Sequence, residues 1–128
     1  NIGDQQIYKH TVLATDMAAF ESGEVHAVYA TFAIARDAEW AGRLFVLAMK
    51  ENEEEGIGTF VNIAHRNPAF LDEVVIFTTS LRELNGNNVI CDFEAKVGER
   101  MIANGSTGQK IIAKDKLEKH FEQIRSGN

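Results

Sequence analysis

The sequence predicts an α+β fold in which a curved antiparallel β-sheet wraps around one long central helix. The stretch from Tyr29 to Lys50 is apolar over most of its circumference when it is drawn as a helix with about 3.6 residues per turn. The chain from Gly58 to Ala113 then divides into segments rich in β-forming residues. Between two of these segments lies Asn85-Gly86, a strong signal for a β-hairpin. Runs of strands beside a single apolar helix are typical of a layered α+β domain.

The chain before the central helix predicts one strand and one loop. Ile7 to Leu13 has a weak apolar alternation, and we interpret it as the first strand. Residues 14–24 contain Asp16 and Gly23 among other polar and small residues. We therefore predict a loop there, one that can include a short helical turn.

The central helix is predicted to begin near Thr31 and to be buried, because a helix that is hydrophobic nearly all round belongs to a core. It is too short and too often charged to span a membrane. Its basic residues Arg36, Arg43 and Lys50 share one narrow stripe. The acidic run at residues 51–55 is interpreted as a solvated helix end or loop, and a glycine then ends the pattern.

Four strands and a short helix are predicted after the central helix. Val89 to Val97 alternates apolar and polar residues, which is typical of a half-buried antiparallel strand. Small polar residues fill the centre of the last strand at 104–108, and the glycines there indicate a bulge or the close approach of another group. The predicted elements are strands at 59–64, 73–84, 89–97 and 101–113, followed by an amphipathic helix at 114–125.

Composition and charge exclude several classes of function. The chain of 128 residues is long enough for a substantial core, and we assign residues 1–128 to one domain. Its net charge of −6 argues against nucleic acid or an anionic membrane as a partner. Cys91 is the only cysteine, which excludes an internal disulfide, and its apolar surroundings predict a core residue. We expect a cytoplasmic protein without a signal peptide, and no residue spacing indicates a metal site.

Two residues are candidates for chemistry before any family is considered. Glu39 lies in the middle of the predicted buried helix, where an unpaired carboxylate is costly. His65 ends a strand just before a loop, a common place for a residue that faces a cleft. Each has a structural alternative, since Glu39 can pair with Arg43 one helical turn later and His65 can bond to a backbone group. The pattern alone favours these structural roles.

Two spacings in the right order change this balance. Thr31 lies eight residues before Glu39 in VYATFAIARDAEW, and Trp40 follows directly. Gly58 lies seven residues before His65 in GIGTFVNIAH. With these motifs the chain resembles the fluoroacetyl-CoA thioesterase family, a branch of the hotdog acyl-CoA thioesterases.

The resemblance extends loosely over residues 23–121 and implies an acyl-CoA thioesterase with the hotdog fold. It implies that Thr31, Glu39 and His65 are catalytic and that Gly58 lines the thioester site. It implies no cofactor, since the CoA thioester is itself the substrate. It also implies a homodimer or a dimer of dimers, because one hotdog sheet alone leaves its edges open.

The chain departs from the family at elements that select the substrate. The family often carries Gly-x-His-x-Arg in its last strand, whereas here Gly105 is followed by Thr107 and Gln109. The loop after the histidine has Asp72 where the family has a glycine. The segment before the threonine lacks the aromatic, proline-containing lid of the fluoroacetate-specific enzyme. We therefore do not expect fluoroacetyl-CoA to be the substrate.

The residue types suit thioester hydrolysis, which needs an activated nucleophile, an oxyanion donor and a proton for the leaving thiolate. We expect Glu39 to act as general base on water or as a nucleophile that forms a transient anhydride. Thr31 would hold Glu39 or the water through its hydroxyl, and His65 would orient the carboxylate or acyl group and manage a proton. His26 and Arg66 are candidates for substrate binding.

Coenzyme A carries phosphates, so a local basic patch is expected in spite of the acidic total. Arg66, Arg100 and Lys110 are the candidates, although each is also an ordinary surface charge. Two alternatives to the thioesterase stay open. One is a hotdog hydratase, but the chain lacks the Asp-x4-His arrangement such hydratases use. The other is a non-catalytic module that binds acyl-CoA or another small ligand.

Overall fold

The computed structural model describes residues 1–20 and 23–127, and for residues 19, 20 and 23–26 it describes the backbone alone. The predicted combination of antiparallel strands and one long helix is present. The elements in order are β1 (Gln5–Thr11), a 3₁₀ helix (Ala14–Asp16), β2 (Met17–Phe20), β3 (Gly23–Tyr29), α1 (Thr31–Met49), β4 (Glu54–His65), β5 (Val74–Asn85), β6 (Asn88–Val97), β7 (Arg100–Ala113) and α2 (Lys114–Arg125).

Helix α1 lies across the main sheet and contacts all five of its strands. Part of the opposite face of α1 is exposed among the described residues, since Trp40 is 42% exposed and Leu47 is exposed to a similar degree. The prediction of a buried helix is therefore confirmed for one face only, because a single chain provides one sheet layer to cover it. The most buried apolar residues of α1 are Ala33, Ile34, Ala38, Ala41 and Val46.

The main sheet is antiparallel throughout, with strand order β1-β5-β6-β7-β4. β5 and β6 form the predicted hairpin, in which Gly86 has a φ of 64° that favours glycine. On β6 the side chains of Val89, Cys91 and Phe93 are buried and those between them are less so, which confirms the predicted alternation. Burial raises the pKa of the Cys91 thiol to about 11, so Cys91 is a protonated core residue, as predicted.

Two strands occupy part of the segment that the sequence analysis assigns to a loop. The 3₁₀ helix agrees with the predicted helical turn, but β2 and β3 then form a separate two-stranded sheet. The loop prediction was therefore wrong for residues 17–20 and 23–24, while 21–22 lie outside the described residues. The pairing shifts register after Met17 and again after Ala18, and such bulges remove the period of two that reveals a strand. β1 also begins and ends two residues earlier than predicted.

β4 begins earlier than predicted and takes in part of the acidic run. The prediction begins this strand at Thr59, whereas Glu54 already pairs with Ala113 of β7. Glu55 can lie in the strand because Arg43 of α1 donates a hydrogen bond to it at 3.0 Å, a contact that local composition does not reveal. Within the described chain, β4 is an edge strand whose outer side pairs with no other strand.

The last three strands and α2 agree with the predictions to within about two residues at each boundary. In the part of the chain that the structure describes, no helix has the length and apolar character needed to cross a membrane.

Candidate active site

The first residue of α1 and the last residue of β4 meet at one end of the molecule. Thr31 Oγ1 lies 2.9 Å from Nδ1 of His65, which is hydrogen-bonding distance. Thr31 is exposed and His65 is half-buried, so both are within reach of a ligand. The hydroxyl can donate to Nδ1, or accept from it, depending on which imidazole nitrogen carries the proton. With Nδ1 held in this way, Nε2 is the nitrogen available for proton transfer.

The Glu39 carboxylate lies directly against the backbone of β4 at Gly58. A Cβ atom at Gly58 would come within 1.9 Å of Oε1 of Glu39, a separation that non-bonded atoms do not reach. Any side chain at this position would displace the carboxylate, so glycine is required for the close approach. β4 also shifts its register between Gly58 and Phe60, which marks a bulge beside the carboxylate.

Glu39 faces a cavity of about 310 Å³ between α1 and the sheet. Gln109 of β7 is 3% exposed and donates from Nε2 to the backbone carbonyl of Glu39 at 3.2 Å. The side chain of Glu39 is half-buried, and among the described residues no ion pair or side-chain hydrogen bond engages it. Such a carboxylate is free to act on a ligand. The cavity is lined by Arg36, Glu39, Trp40, Arg43, Gly58 and Gln109.

The pairing of Glu39 with Arg43, the structural alternative considered above, is not formed. Arg43 instead donates to the carbonyl of Gly56 at 2.9 Å and to the carboxylate of Glu55 at 3.0 Å. Arg43 therefore stands at the cavity wall with its charge already partly neutralised.

The predicted catalytic residues form two pairs within one chain. Thr31 contacts His65 and Glu39 contacts Gly58, but eight residues of α-helix place Glu39 about 12 Å along the axis from Thr31. The expected contact between the Thr31 hydroxyl and Glu39 is not made, because that hydroxyl bonds to His65.

The candidate substrate-binding residues differ in how they are held. Arg66 follows His65 in sequence and donates from Nε to Asn104 Oδ1 at 2.9 Å, and Asn104 lies with Asp92 and Glu94 on the face of the sheet away from α1. Arg100 is held by Glu73 at the carboxylate and by the carbonyl of Pro68, and it lies over a phenylalanine ring, so it has a structural role.

Two further candidates receive little support. Lys110 is exposed on β7 opposite Ile57 and makes no contact with the cavity described above. The backbone of His26 pairs with Ala18 in the β2–β3 sheet, but its side chain lies outside the described residues, so its predicted role stays a prediction.

The two residues at the positions of the family histidine and arginine both lie inside the molecule. Thr107 is 2% exposed and packs against Gly42 of α1, where a Cβ would come within 2.6 Å of Oγ1. Gln109 reaches the Glu39 cavity but carries no charge. Neither residue is charged, so the cations that line this cavity are Arg36 and Arg43 of α1.

The structure also contains a buried polar cluster that the sequence analysis missed. Asp16 and Asp37 are 1% and 4% exposed, and both accept hydrogen bonds from Arg36 Nη2, at 2.8 and 2.9 Å. His10 Nε2 lies 2.7 Å from Asp16, and the Tyr29 hydroxyl donates a short hydrogen bond to Asp37. The signal in the sequence was Asp37 itself, an acidic residue beside apolar neighbours in a core helix.

Electrostatics in this cluster favour a charged Asp16 carboxylate and a neutral Tyr29 phenol. Burial by itself raises the pKa of Asp16, but hydrogen bonds from the Leu13 N–H, Arg36 and His10 outweigh it, and the net pKa is lowered. Burial and the adjacent Asp37 carboxylate raise the pKa of Tyr29, so its hydroxyl stays protonated and donates. Both carboxylates of the cluster thus accept hydrogen bonds from side-chain donors.

Comparisons with known proteins give a consistent result. The family model described as fluoroacetyl-CoA-specific thioesterase matches residues 12–115. A hypothetical Thermus thermophilus protein of the thioesterase superfamily is 31% identical, with 98% of this chain and 93% of that chain covered and a TM-score of 0.93. No curated protein matches the chain.

Two more distant structures share the fold. The fluoroacetyl-CoA thioesterase FlK is 21% identical, with 100% of this chain and 97% of that chain covered and a TM-score of 0.87. A hot-dog-like protein from Thermanaerovibrio acidaminovorans is 19% identical, with 99% and 94% covered and a TM-score of 0.89. The predicted hotdog fold is confirmed.

Proposed function

The chain belongs to the fluoroacetyl-CoA-specific thioesterase family and is a thioester hydrolase, and we propose that it cleaves a short acyl-CoA through Glu39, Thr31 and His65. The observation that carries the residue assignment is the Glu39 carboxylate, which faces the cavity against Gly58 with no ion pair or side-chain hydrogen bond among the described residues. Variants of FlK have been solved with acetyl-CoA and with fluoroacetate and CoA, which supports a CoA thioester as the substrate class.

Glu39 supplies the activated oxygen in this proposal. As general base it takes a proton from water while the water oxygen bonds to the thioester carbon, and the C–S bond then breaks to release the acid. As nucleophile it would itself bond to that carbon and form an anhydride that water later opens. In both routes the CoA thiolate leaves and must receive a proton, and the geometry supports either role for Glu39.

The Thr31–His65 pair lies where proton management and carbonyl polarisation can occur together. His65, held through Nδ1, presents Nε2 as a proton donor for the leaving thiolate. Thr31 opens α1, and the residue before it, Ala30, makes no side-chain cap, so N–H groups of the first turn are available to an oxyanion. Arg66 is exposed and directly follows His65 in sequence, and we propose that it contacts a CoA phosphate.

A second copy of the chain would bring the two pairs together. β4 is a 12-residue edge strand, and its centre carries Phe60 and Val61, which are 41% and 37% exposed, with no lysine or proline to block pairing. We propose that two β4 edges pair antiparallel about a two-fold axis. The end of one strand, with the partner's His65, then approaches the beginning of the other strand, near the Glu39 cavity. The exposed face of α1, with Trp40, would be covered in the same homodimer.

The substrate is proposed to carry a small acyl group. A cavity of about 310 Å³ is at the lower limit of small-molecule sites, so a long acyl chain does not fit within it. Gln109 stands where the family pattern has arginine, and it offers hydrogen bonds without charge. We therefore expect no preference for fluoroacetyl-CoA over acetyl-CoA. A cytoplasmic location stays a prediction.

Thiol release from a panel of acetyl-, fluoroacetyl-, branched, aromatic and long-chain acyl-CoAs tests this proposal. Cys91 is buried and will not react with the thiol reagent in the folded protein, so the signal reports CoA alone. We expect hydrolysis of the short members and a loss of about 10²–10⁴-fold in kcat for Glu39→Gln. The matched control is Glu83→Gln, at an exposed position of β5, and this variant should keep the wild-type kcat.

Two outcomes would contradict the proposal. If Glu39→Gln keeps more than about half of kcat, the assignment of Glu39 is wrong. If the folded dimer binds acyl-CoA in calorimetry but hydrolyses none of the panel, the chain is the non-catalytic binding module, an alternative that the uncharged Thr107 and Gln109 favour.

A further inference from the structure

The buried carboxylates of Asp16 and Asp37 form a cluster with Tyr29, His10 and the half-exposed Arg36. The cluster lies outside the residues assigned to chemistry, and its composition needs an explanation. Replacing buried ion pairs with apolar residues often leaves stability unchanged or improves it, so such a cluster is weak support for a purely stabilising role. Ionic clusters of this kind do fix geometry, because each hydrogen bond tolerates only a narrow range of distances and angles. The question is therefore which part of the molecule the cluster holds in place.

The cluster closes the base of the β2–β3 hairpin. Asp16 precedes β2 and Tyr29 ends β3, and both are tied to α1, through Arg36 and Asp37 respectively. The backbone repeats the connection, because the N–H of Ala30 donates to the Asp16 carbonyl at 2.8 Å. Both stems of the hairpin are thus held against the helix that follows them.

The same residues connect to both members of the Thr31–His65 pair. Tyr29 lies two residues before Thr31, and its side chain is held by Asp37 two turns along α1. Its backbone N–H donates at 2.9 Å to the carbonyl of Ala69, a fully buried residue in the loop that follows His65. Displacement of Tyr29 would therefore move the start of α1 and the end of β4 relative to each other.

We propose that this cluster is a positioning clamp, in which Asp37 and Asp16 fix Tyr29 and the hairpin stems and thereby set the contact between Thr31 and His65. Arg36 links the clamp to the second half of the site. It grips both carboxylates with Nε and Nη2, and it also lines the cavity in front of Glu39. Asp37 and Tyr29 are thus positioning residues that act through Thr31 and His65. The catalytic consequence rests on the proposed function, but the structural consequence does not.

NMR of the His65 imidazole tests the clamp without any need for turnover. The ring nitrogens of the four histidines resolve in a long-range ¹H–¹⁵N spectrum, and the His65→Gln variant assigns the signal. Thr31→Ala gives the reference shift for a lost contact. We expect Asp37→Asn and Tyr29→Phe each to move the His65 signal by about half of that reference change or more. Val89→Ala, a destabilising change in the separate core cluster, should leave the signal in place.

Kinetics on whichever acyl-CoA is hydrolysed give the second readout. Asp37→Asn should lower kcat about tenfold with KM changed less than about twofold, since a misplaced group costs rate and not substrate binding. In a Thr31→Ala background the same change should have no further effect on kcat. Val89→Ala should keep wild-type kcat despite its lower melting temperature.

The NMR and kinetic measurements test different parts of the proposal. If both Asp37→Asn and Tyr29→Phe leave the His65 signal at its wild-type position, the clamp is refuted. Additive effects of Asp37→Asn and Thr31→Ala on kcat would refute the action through Thr31. If no acyl-CoA is hydrolysed, the proposed function fails while the NMR arm still decides the clamp. If Asp37→Asn does not fold, Tyr29→Phe, which removes a single hydroxyl, decides it alone.

Discussion

Asp37 and Glu39 are carboxylates two residues apart on α1, and their surroundings are opposite. Asp37 is 4% exposed and accepts hydrogen bonds from Tyr29 and from two nitrogens of Arg36. Glu39 is half-buried at a cavity wall, with no ion pair or side-chain hydrogen bond in the described chain. Two positions turn a helix through about 200°, so the two side chains leave it on opposite sides.

The difference shows that one turn of a helix can hold both a structural carboxylate and one that is accessible to a ligand. A carboxylate that accepts several side-chain hydrogen bonds is held in place and is costly to move. A carboxylate left against a glycine at a cavity has unused acceptor capacity that a water or a thioester can take up. The two carboxylates therefore differ mainly in the side-chain hydrogen bonds that they accept.

Gly58→Ala should give the largest effect. The added Cβ would lie 1.9 Å from Oε1 of Glu39, so the carboxylate must move by an ångström or more, and we expect kcat to fall about 100-fold. Steady-state hydrolysis of the preferred acyl-CoA measures this. The same clash should also lower the free energy of unfolding of Gly58→Ala. In a Glu39→Ala background the clash is absent, so adding Gly58→Ala there should not lower the free energy of unfolding further. Wild-type kcat in the single variant would show that Glu39 does not act from this position.

Asp37→Asn and Glu39→Gln should separate stability from activity. Loss of the charge in the Tyr29–Asp37–Arg36 network should lower the free energy of unfolding by about 2 kcal/mol. Glu39→Gln should change it by less than about 0.5 kcal/mol, because no partner is lost. Urea unfolding followed by circular dichroism measures both variants side by side. A destabilisation by Glu39→Gln as large as that by Asp37→Asn would remove the distinction between them.

Much of the fold could be predicted from the sequence, because the signals were local. The apolar length of α1, the turn at Asn85-Gly86 and the alternation on β6 each report a period or a turn chemistry that one segment contains by itself. β2 and β3 could not be found in this way, since the register shifts at Met17 and Ala18 remove the period. The beginning of β4 was missed because Glu55 depends on Arg43 of another element.

The sequence predicts the residues of the proposed site but not their contacts. The spacings predict Thr31, Glu39 and His65 as catalytic, which stays a prediction, and the structure places Glu39 against Gly58 and Thr31 against His65. No spacing indicates that these are two separate pairs in one chain, because that depends on the angle at which β4 crosses α1. The clamp was missed for the same reason: its five members come from four elements, and in sequence each is a single polar residue.

Gln109→Met should lower kcat less than Gly58→Ala does. The substitution keeps the volume of the side chain but removes the hydrogen bond that Nε2 donates to the backbone carbonyl of Glu39 at 3.2 Å. A neutral hydrogen bond of this kind contributes about 1 kcal/mol, so we expect kcat to fall about fivefold. Gln123→Met on exposed α2 is the control and should leave kcat unchanged. Unchanged kcat for Gln109→Met would show that the backbone at Glu39 needs no such support.

Acid should reduce the stability that the Asp16 carboxylate contributes to the fold. The folded pKa of Asp16 is lowered from its ordinary value of 3.8, so its charge stabilises the fold above about pH 4, and this contribution is lost as the pH falls through the lowered folded pKa. We expect Asp16→Asn to unfold more easily at pH 7 but to lose less stability than wild type between about pH 4 and pH 2. Glu73, whose pKa is lowered mainly by its hydrogen bond from Arg100, contributes in the same direction, and Glu73→Gln measures its share separately. Urea midpoints across this range decide the matter. If Asp16→Asn loses as much stability as wild type between about pH 4 and pH 2, the Asp16 charge does not stabilise the fold, and its hydrogen bonds from Arg36 and the Leu13 N–H contribute no net stability.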